Sequence, residues 1–125
     1  MFSIRKTIEV AGAHNLNLSY PSPCQNIHGH NWFVTVELSS TKLNSDGMIM
    51  DFKNLKSAMK LMIEDKLDHK NINEVVQFNP TAENMSKWIC EAMDSLYMGT
   101  SIQCTSVEVQ ESRDNVAIYR KAYSI

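Results

Sequence analysis

The spacing of apolar residues changes period twice along this chain, and that limits the folds open to it. Ile4, Ile8, Val10 and Gly12 share even positions, while Arg5, Thr7 and Glu9 are odd and Lys6 is the one mismatch. Such alternation marks a strand with one buried face. Asn15, Asn17, Ser19, Pro21, Ser22 and Pro23 then predict a loop. A second alternation sets Trp32, Val34, Val36 and Leu38 against Thr35 and Glu37. After the turn residues Asn44-Ser45-Asp46-Gly47 the period lengthens. Asp51 stands where a helix N-cap belongs, and Phe52, Leu55, Met59, Met62 and Ile63 make an i, i+3, i+4 stripe. A polar connector follows Leu67-Asp68-His69-Lys70. Pro80-Thr81 opens a second helix with Met85, Trp88, Ile89, Ala92, Met93 and Leu96 on its inner side, and Gly99 ends it. The methionine-rich stripes read as core. Period two then returns: Thr105, Val107 and Val109 alternate with Ser106, Glu108 and Gln110. Arg113-Asp114-Asn115 turn the chain, and Val116 to Tyr119 form the hairpin partner. The order ββααββ predicts an α+β domain, an antiparallel sheet with two helices packed on one face.

Length and charge narrow the function classes. The 125 residues suit a single domain spanning 1–125. Twelve Lys+Arg against 14 Asp+Glu leave no positive surplus for a phosphate backbone, which excludes a non-specific nucleic-acid binder. Apolar runs of only a few residues fall far short of the ~20 that span a bilayer, and no apolar stretch follows Arg5-Lys6 as a signal peptide requires. A cytoplasmic, soluble protein is expected, with no membrane partner. Cys24, Cys90 and Cys104 are odd in number and widely spaced, a poor disulfide framework. Cys90 adjoins the second apolar stripe, and both it and Cys104 read as packing residues.

Chemistry collects around the histidines. His14 has the parity of Ile8 and Val10; His28 and His30 have that of Trp32, Val34 and Val36. If both strands extend that far without a bulge, three imidazoles point to the apolar side, which is costly unless something pairs with them. Three neutral imidazoles suit Zn²⁺ and leave the fourth tetrahedral position open, as in catalytic zinc. Gly29 between two of them would let a backbone or ligand approach closely. On spacing alone, His28 and His30 serve equally well as ordinary loop residues. Cys24, four residues before His28, is a fourth ligand closing a Cys-His₃ site, a base or nucleophile with a pKa lowered by the cation, or a silent thiol. Asp68 beside His69 makes either an acid/base unit, the carboxylate setting the tautomer, or a solvated helix end. Glu111 carries the parity of Val107 and Val109. It is either an inward carboxylate that needs a donor partner, such as the adjacent N–H groups of a guanidine-like heterocycle edge, or a turn residue beyond a strand ending at Gln110.

Cys24-Gln25-Asn26-Ile27-His28-Gly29-His30, preceded by Ala13-His14-Asn15-Leu16, resembles the 6-pyruvoyl-tetrahydropterin synthase family. Gly47 to Asp51-Phe52, Leu67-Asp68-His69, Asn79-Pro80-Thr81-Ala82-Glu83 and Glu111-Ser112 are similar to its further landmarks, in the same order, so the likeness covers essentially the whole sequence. It implies a tunnelling fold (T-fold) and assembly into a homo-oligomer, a hexamer of two trimers with active sites between subunits. It further implies His14, His28 and His30 as zinc ligands, Cys24 as catalytic thiol, Asp68 and His69 as a second acid/base unit, Glu111 as the anchor for a pterin triphosphate substrate, and Thr81 at the pterin pocket. Within the family, three residues between the cysteine and His-Gly-His resemble the 6-carboxy-5,6,7,8-tetrahydropterin synthases of queuosine (7-deazaguanine) biosynthesis. The animal-type 6-pyruvoyl synthases have a longer gap. Gln25 and Asn26 after Cys24 disfavour the aldolase-like members that carry Glu there, and Val10 departs from the aromatic residue common at its position. The expected activity is conversion of 7,8-dihydroneopterin triphosphate to 6-carboxytetrahydropterin, acetaldehyde and triphosphate. Elimination of triphosphate alone, to the 6-pyruvoyl product, is the alternative within the family. A non-catalytic, zinc-stabilised pterin-binding module is the alternative of another class.

Overall fold

Strands β1 (Phe2–His14) and β2 (His28–Ser40) are each 13 residues long and pair antiparallel from Phe2 opposite Ser40 to His14 opposite His28, with no shift of register. The computed structural model describes residues 1–122, so the last three positions of the expected 1–125 domain lie outside the described residues. Unbroken pairing carries the parity of Val10, Trp32, Val34 and Val36 through to the histidines at the open end of the ladder. On the other side of β2 lie β4 (Gln103–Ser112) and β5 (Asn115–Arg120), both antiparallel. At the opposite edge a two-residue β3 (Lys70–Asn71) pairs parallel with Gly12 and Ala13 of β1. The sheet order is β3-β1-β2-β4-β5, mixed rather than wholly antiparallel. The polar connector hides β3 because two residues carry no alternation.

Helix α1 (Phe52–Met59) runs on through a π-helical stretch, Lys60–Glu64, into α2 (Asp65–Leu67); α3 (Ala82–Ser95) follows. Asp51 caps α1 by accepting from Lys53 N–H at 2.8 Å. Leu55, Met59, Ile63 and Leu67 are buried at a strict spacing of four. On an α-helix each step of four overshoots a turn by about 40°, so a long stripe drifts off the sheet. The wider π turn brings it back. Phe52, expected in the stripe, is exposed, and Met62 is only half-buried. In α3, Met85, Ile89, Cys90 and Met93 join the core as expected, whereas Leu96 lies past the end of the helix and is exposed.

The alternation expected at Thr105 fails for one reason. Glu37 pairs with Ser106 and Leu38 with Cys104, so Thr105 is the extra residue of a β-bulge. Cys104 therefore turns inward, and Thr105 faces away from the helices, donating to Glu37 Oε1 at 2.8 Å. Cys90 and Cys104 are buried free thiols with sulfurs 3.6 Å apart, consistent with packing roles. Among the described residues no helix is long and apolar enough to cross a membrane.

The close backbone approach lies at Gly12, not at Gly29. A Cβ on Gly29 would meet only Gly12 O, at an ordinary 3.5 Å. One on Gly12 would stand 3.1 Å from Trp32 Cζ3, 3.2 Å from Lys70 O and 3.3 Å from Leu67 O. Two of those neighbours are backbone and the third is a fully buried ring, so none can yield cheaply. Gly12→Ala is expected to destabilise by about 1–3 kcal/mol and to lower the thermal midpoint by several degrees. An unchanged midpoint would contradict this packing.

Candidate metal centre and its cleft

At the open end of the β1–β2 ladder the three imidazoles meet. His14 ends β1 and is fully buried; His28 and His30 begin β2, each half-buried on the same face. Ring centroids are 4.6 Å apart for His14 and His28, 5.2 Å for His14 and His30, and 4.9 Å for His28 and His30. Trp32, next inward on that face, packs edge-on against His14 at 5.1 Å and His30 at 5.2 Å. Strand β4 runs on to Ser112, so Glu111 is a strand residue, at an irregularity between Gln110 and Ser112 in the β4–β5 pairing. Its Oε1 lies 3.3 Å from both His14 Nε2 and His30 Nε2. One donor atom from each of His14, His28, His30 and Glu111 lies within 4.8 Å of every other. The fourth member is Glu111 and not Cys24, so the closed Cys-His₃ arrangement is not formed.

The donor set fits a divalent ion. His14 Nδ1 donates to Pro80 C=O at 2.8 Å and His28 Nδ1 to Asn26 C=O at 2.7 Å, because a carbonyl only accepts. Each bond fixes the tautomer and leaves the Nε2 lone pair free, the usual outer-shell support of a metal-binding imidazole. The two contacts to Glu111 lack hydrogen-bond geometry, so His14 Nε2 and His30 Nε2 are buried without a partner, as is Trp32 Nε1. Buried lone pairs aimed at a shared carboxylate are costly unless a cation joins them.

Burial holds the His14 imidazole below its ordinary pKa, outweighing the Pro80 bond and the Glu111 charge; burial likewise lowers His30. Both are therefore neutral, as ligands must be, at neutral pH. In metal-free protein the unfolded chain takes up protons near pH 6.5 while these folded imidazoles do not until lower pH. The unfolded state then binds more protons, so stability falls as pH drops below about 6.5 and levels once the folded rings also protonate. Thermal midpoints measured in chelator should be flat above neutrality and decline below it. A midpoint that rises on acidification would refute the assignment.

The remaining expected residues do not join the donor group. Cys24 sits exposed in a 3₁₀ turn, Pro23–Gln25, its N–H donating to the Ser22 cap at 3.2 Å. Asp68 and His69 clasp one residue of β1: Ala11 N–H donates to Asp68 Oδ1 at 2.9 Å, and His69 N–H donates to Ala11 C=O at 2.6 Å. His69 adopts a left-handed backbone, φ 57°, a strained state for a residue with a Cβ that concentrates at functional sites. Its imidazole is 83% exposed, with Nε2 3.6 Å from Asp68 Oδ2, too long for a hydrogen bond. Thr81 uses its hydroxyl to cap α3, accepting from Asn84 N–H at 3.1 Å. Beside it, Ala82 and Glu83 line an open cleft of about 470 Å³ together with Glu111, Asp114, Asn115, Val116 and Ala117. Glu83, Pro80 and Asn26 stand within the family landmarks of the sequence, but nothing in the sequence pattern gives Glu83 or the Pro80 and Asn26 carbonyls a place at the site. A helix-start Glu and a backbone carbonyl look the same in sequence wherever they occur.

The family model for 6-pyruvoyl tetrahydropterin synthase matches residues 3–122. A 6-pyruvoyl tetrahydrobiopterin synthase of Dictyostelium discoideum is 34% identical over 101 residues, 78% of this chain and 73% of that protein. A 6-carboxy-5,6,7,8-tetrahydropterin synthase of Haemophilus influenzae is 32% identical over 114 residues, 87% and 77% of the two proteins. The solved structure of Caenorhabditis elegans 6-pyruvoyl tetrahydropterin synthase superposes with a TM-score of 0.81 at 26% identity, covering 97% of this chain and 96% of that one.

Proposed function

The chain belongs to the 6-pyruvoyl tetrahydropterin synthase family, and on that premise we propose that it converts 7,8-dihydroneopterin triphosphate to 6-carboxy-5,6,7,8-tetrahydropterin, acetaldehyde and triphosphate. It does so as a zinc-dependent carbon–carbon lyase of queuosine (7-deazaguanine) biosynthesis. The observation that carries this reading is the convergence of His14, His28 and His30 with Glu111, one of whose neighbours in an open cleft is a second carboxylate, Glu83. Zinc on the three imidazoles would polarise the C–O groups of the substrate's tail and acidify a hydroxyl bound to it.

The protein's own residues supply the rest. With the ion on the three imidazoles alone, the Glu111 carboxylate is left to take the paired N–H donors on the guanidine-like edge of the pterin, and Glu83 lines the same cleft. Thr81 caps the helix that carries Glu83. The Cys24 thiolate removes a proton from the substrate's tail, and Asp68 with His69 exchanges protons on the opposite side. Triphosphate leaves and the ring is reduced as the tail is oxidised; one water then adds to the tail carbonyl next to the ring, and cleavage of the adjoining carbon–carbon bond leaves the carboxylate on the ring and releases acetaldehyde.

The exposure of both Cys24 and His69 supports a site completed by a neighbouring copy. So do the sheet edges: among the described residues, the edge of β1 away from β2 is unpaired along Phe2–Val10, as is the outer edge of β5, and Val116 and Ile118 are exposed. A long bare edge is a ready template for pairing with another chain, and a hexamer of two trimers would cover both edges. Incubating zinc-loaded protein with 7,8-dihydroneopterin triphosphate and weighing the products tests the whole reading. The 6-carboxy product with acetaldehyde is expected. A 6-pyruvoyl product would select the second reading, which the name of the Dictyostelium relative favours. No turnover by a metal-loaded assembly would leave a binding module.

A further inference from the structure

Residues Asn15, Leu16 and Asn17 belong to no strand, yet their main chain is bonded on both sides. Asn15 N–H donates to Asn73 Oδ1 at 2.9 Å, and Asn73 Nδ2 donates back to Asn15 C=O at 2.9 Å. Two residues on, Asn17 N–H donates to Asn79 Oδ1 and Asn79 Nδ2 returns to Asn17 C=O, again at 2.9 Å each. A primary amide carries the same donor and acceptor as a peptide group. Spaced at i and i+2, the two side chains therefore do what one edge of a neighbouring strand would do. On the opposite edge, Leu16 N–H donates to Cys24 C=O at 2.8 Å. The segment that follows His14 is thus pinned by two asparagines on one side, and the cysteine turn hangs from its other side.

Both asparagines are themselves held. Asn73 N–H donates to Asn71 Oδ1 at 3.2 Å within the 3₁₀ turn Ile72–Glu74. Asn79 C=O accepts from Thr81 N–H at 2.8 Å and from Asn84 Nδ2 at 3.0 Å. The residue between Asn79 and Thr81 is Pro80, whose C=O orients His14. One connector therefore sets both the first imidazole and the strip of backbone on which Cys24 depends.

We propose that Asn73 and Asn79 are positioning residues, whose side-chain amides hold Asn15–Asn17 as a surrogate strand and so set the place of the Cys24 thiol relative to His14, His28 and His30. This rests on the reading of Cys24 as the thiol that acts on substrate. Displacing a reacting group by about 1 Å can cost ~10²-fold in rate. Asn73→Ala and Asn79→Ala are each expected to lower kcat roughly 10-fold, and the double variant ~10²-fold. KM and zinc content should stay near wild type, because neither amide touches the donor group. Alkylation of Cys24 by iodoacetamide should change several-fold as its turn loosens, which a merely stabilising contact would not cause.

The direct measurement needs no variant. In the intact zinc-loaded protein, residue-resolved hydrogen exchange should find the amides of Asn15, Leu16 and Asn17 protected although they lie outside any strand. Unprotected exchange at these three amides overturns the proposal even if the variants fail to fold. So does a double variant with wild-type kcat and wild-type alkylation rate. Wild-type protein that makes no pterin product would instead defeat the functional reading, while exchange and alkylation still decide the clamp.

Discussion

Cys24→Ala should retain its fold and its metal while losing turnover by about 10²–10⁴-fold, the range expected when a positioned acid or base is removed. The thiol is exposed and lies outside the group of donors around Glu111. What holds the turn is main chain: the N–H on Ser22 Oγ and the C=O on Leu16 N–H. Truncation to alanine leaves both bonds in place, so the thermal midpoint should stay within the small shift typical of surface changes, about 0.5 kcal/mol. Product formation, zinc content and a thermal melt on the same preparation separate the possibilities. Full activity would remove the thiol from the chemistry, and loss of zinc would make it a ligand after all.

His28→Ala should instead release the metal and reduce activity to background. Its ring stands 4.6 Å from His14 and 4.9 Å from His30, and its tautomer is set by Asn26 C=O. Removing an outer-shell partner of a metal ligand already costs about 10–100-fold in affinity; removing one of three imidazoles costs more. His28 is the cleaner choice than His14, because it is only half-buried whereas His14 is fully enclosed, and truncating a buried ring opens a cavity. Zinc measured after dialysis decides the point, with Co²⁺ absorption as a second readout. A variant that stays fully zinc-loaded would contradict the ligand assignment. Chelation of the wild type should abolish activity with the fold intact, since the core of Trp32, Val34, Val36 and the helices is made of apolar side chains and includes none of the three histidines. Unfolding on chelation would point to structural zinc.

Much of this arrangement is legible in the sequence, because it is written in short-range periodicity. The parity of His14 with Val10, and of His28 and His30 with Trp32 and Val34, predicts three imidazoles on the buried face, and the unbroken β1–β2 register places them there. Glu111 is legible in the same way, as an inward carboxylate on the β4 strand. Parity misleads at Thr105, where one extra residue reverses which face a side chain meets. Phe52 and Leu96 fit a helical stripe by spacing but lie at or beyond the helix ends, where no sheet covers them. Gly29 has the look of a close-approach point from its place between two histidines. The crowding occurs at Gly12, on the partner strand, where Lys70 and Leu67 return to the sheet.

Alternation and helical spacing by themselves determined the four long strands, the two helical segments, their order and the face of the sheet on which His14, His28, His30 and Glu111 lie, since these depend only on neighbours a few residues away. Tertiary structure alone decided that His14 from one strand, His28 and His30 from the next and Glu111 from a third bring their donor atoms within 4.8 Å of one another. It also decided that Pro80 and the amides of Asn73 and Asn79, more than fifty residues downstream, orient His14 and its loop. Those meetings depend on inter-strand register and on hydrogen bonds between distant segments, and no periodicity within a single segment encodes them.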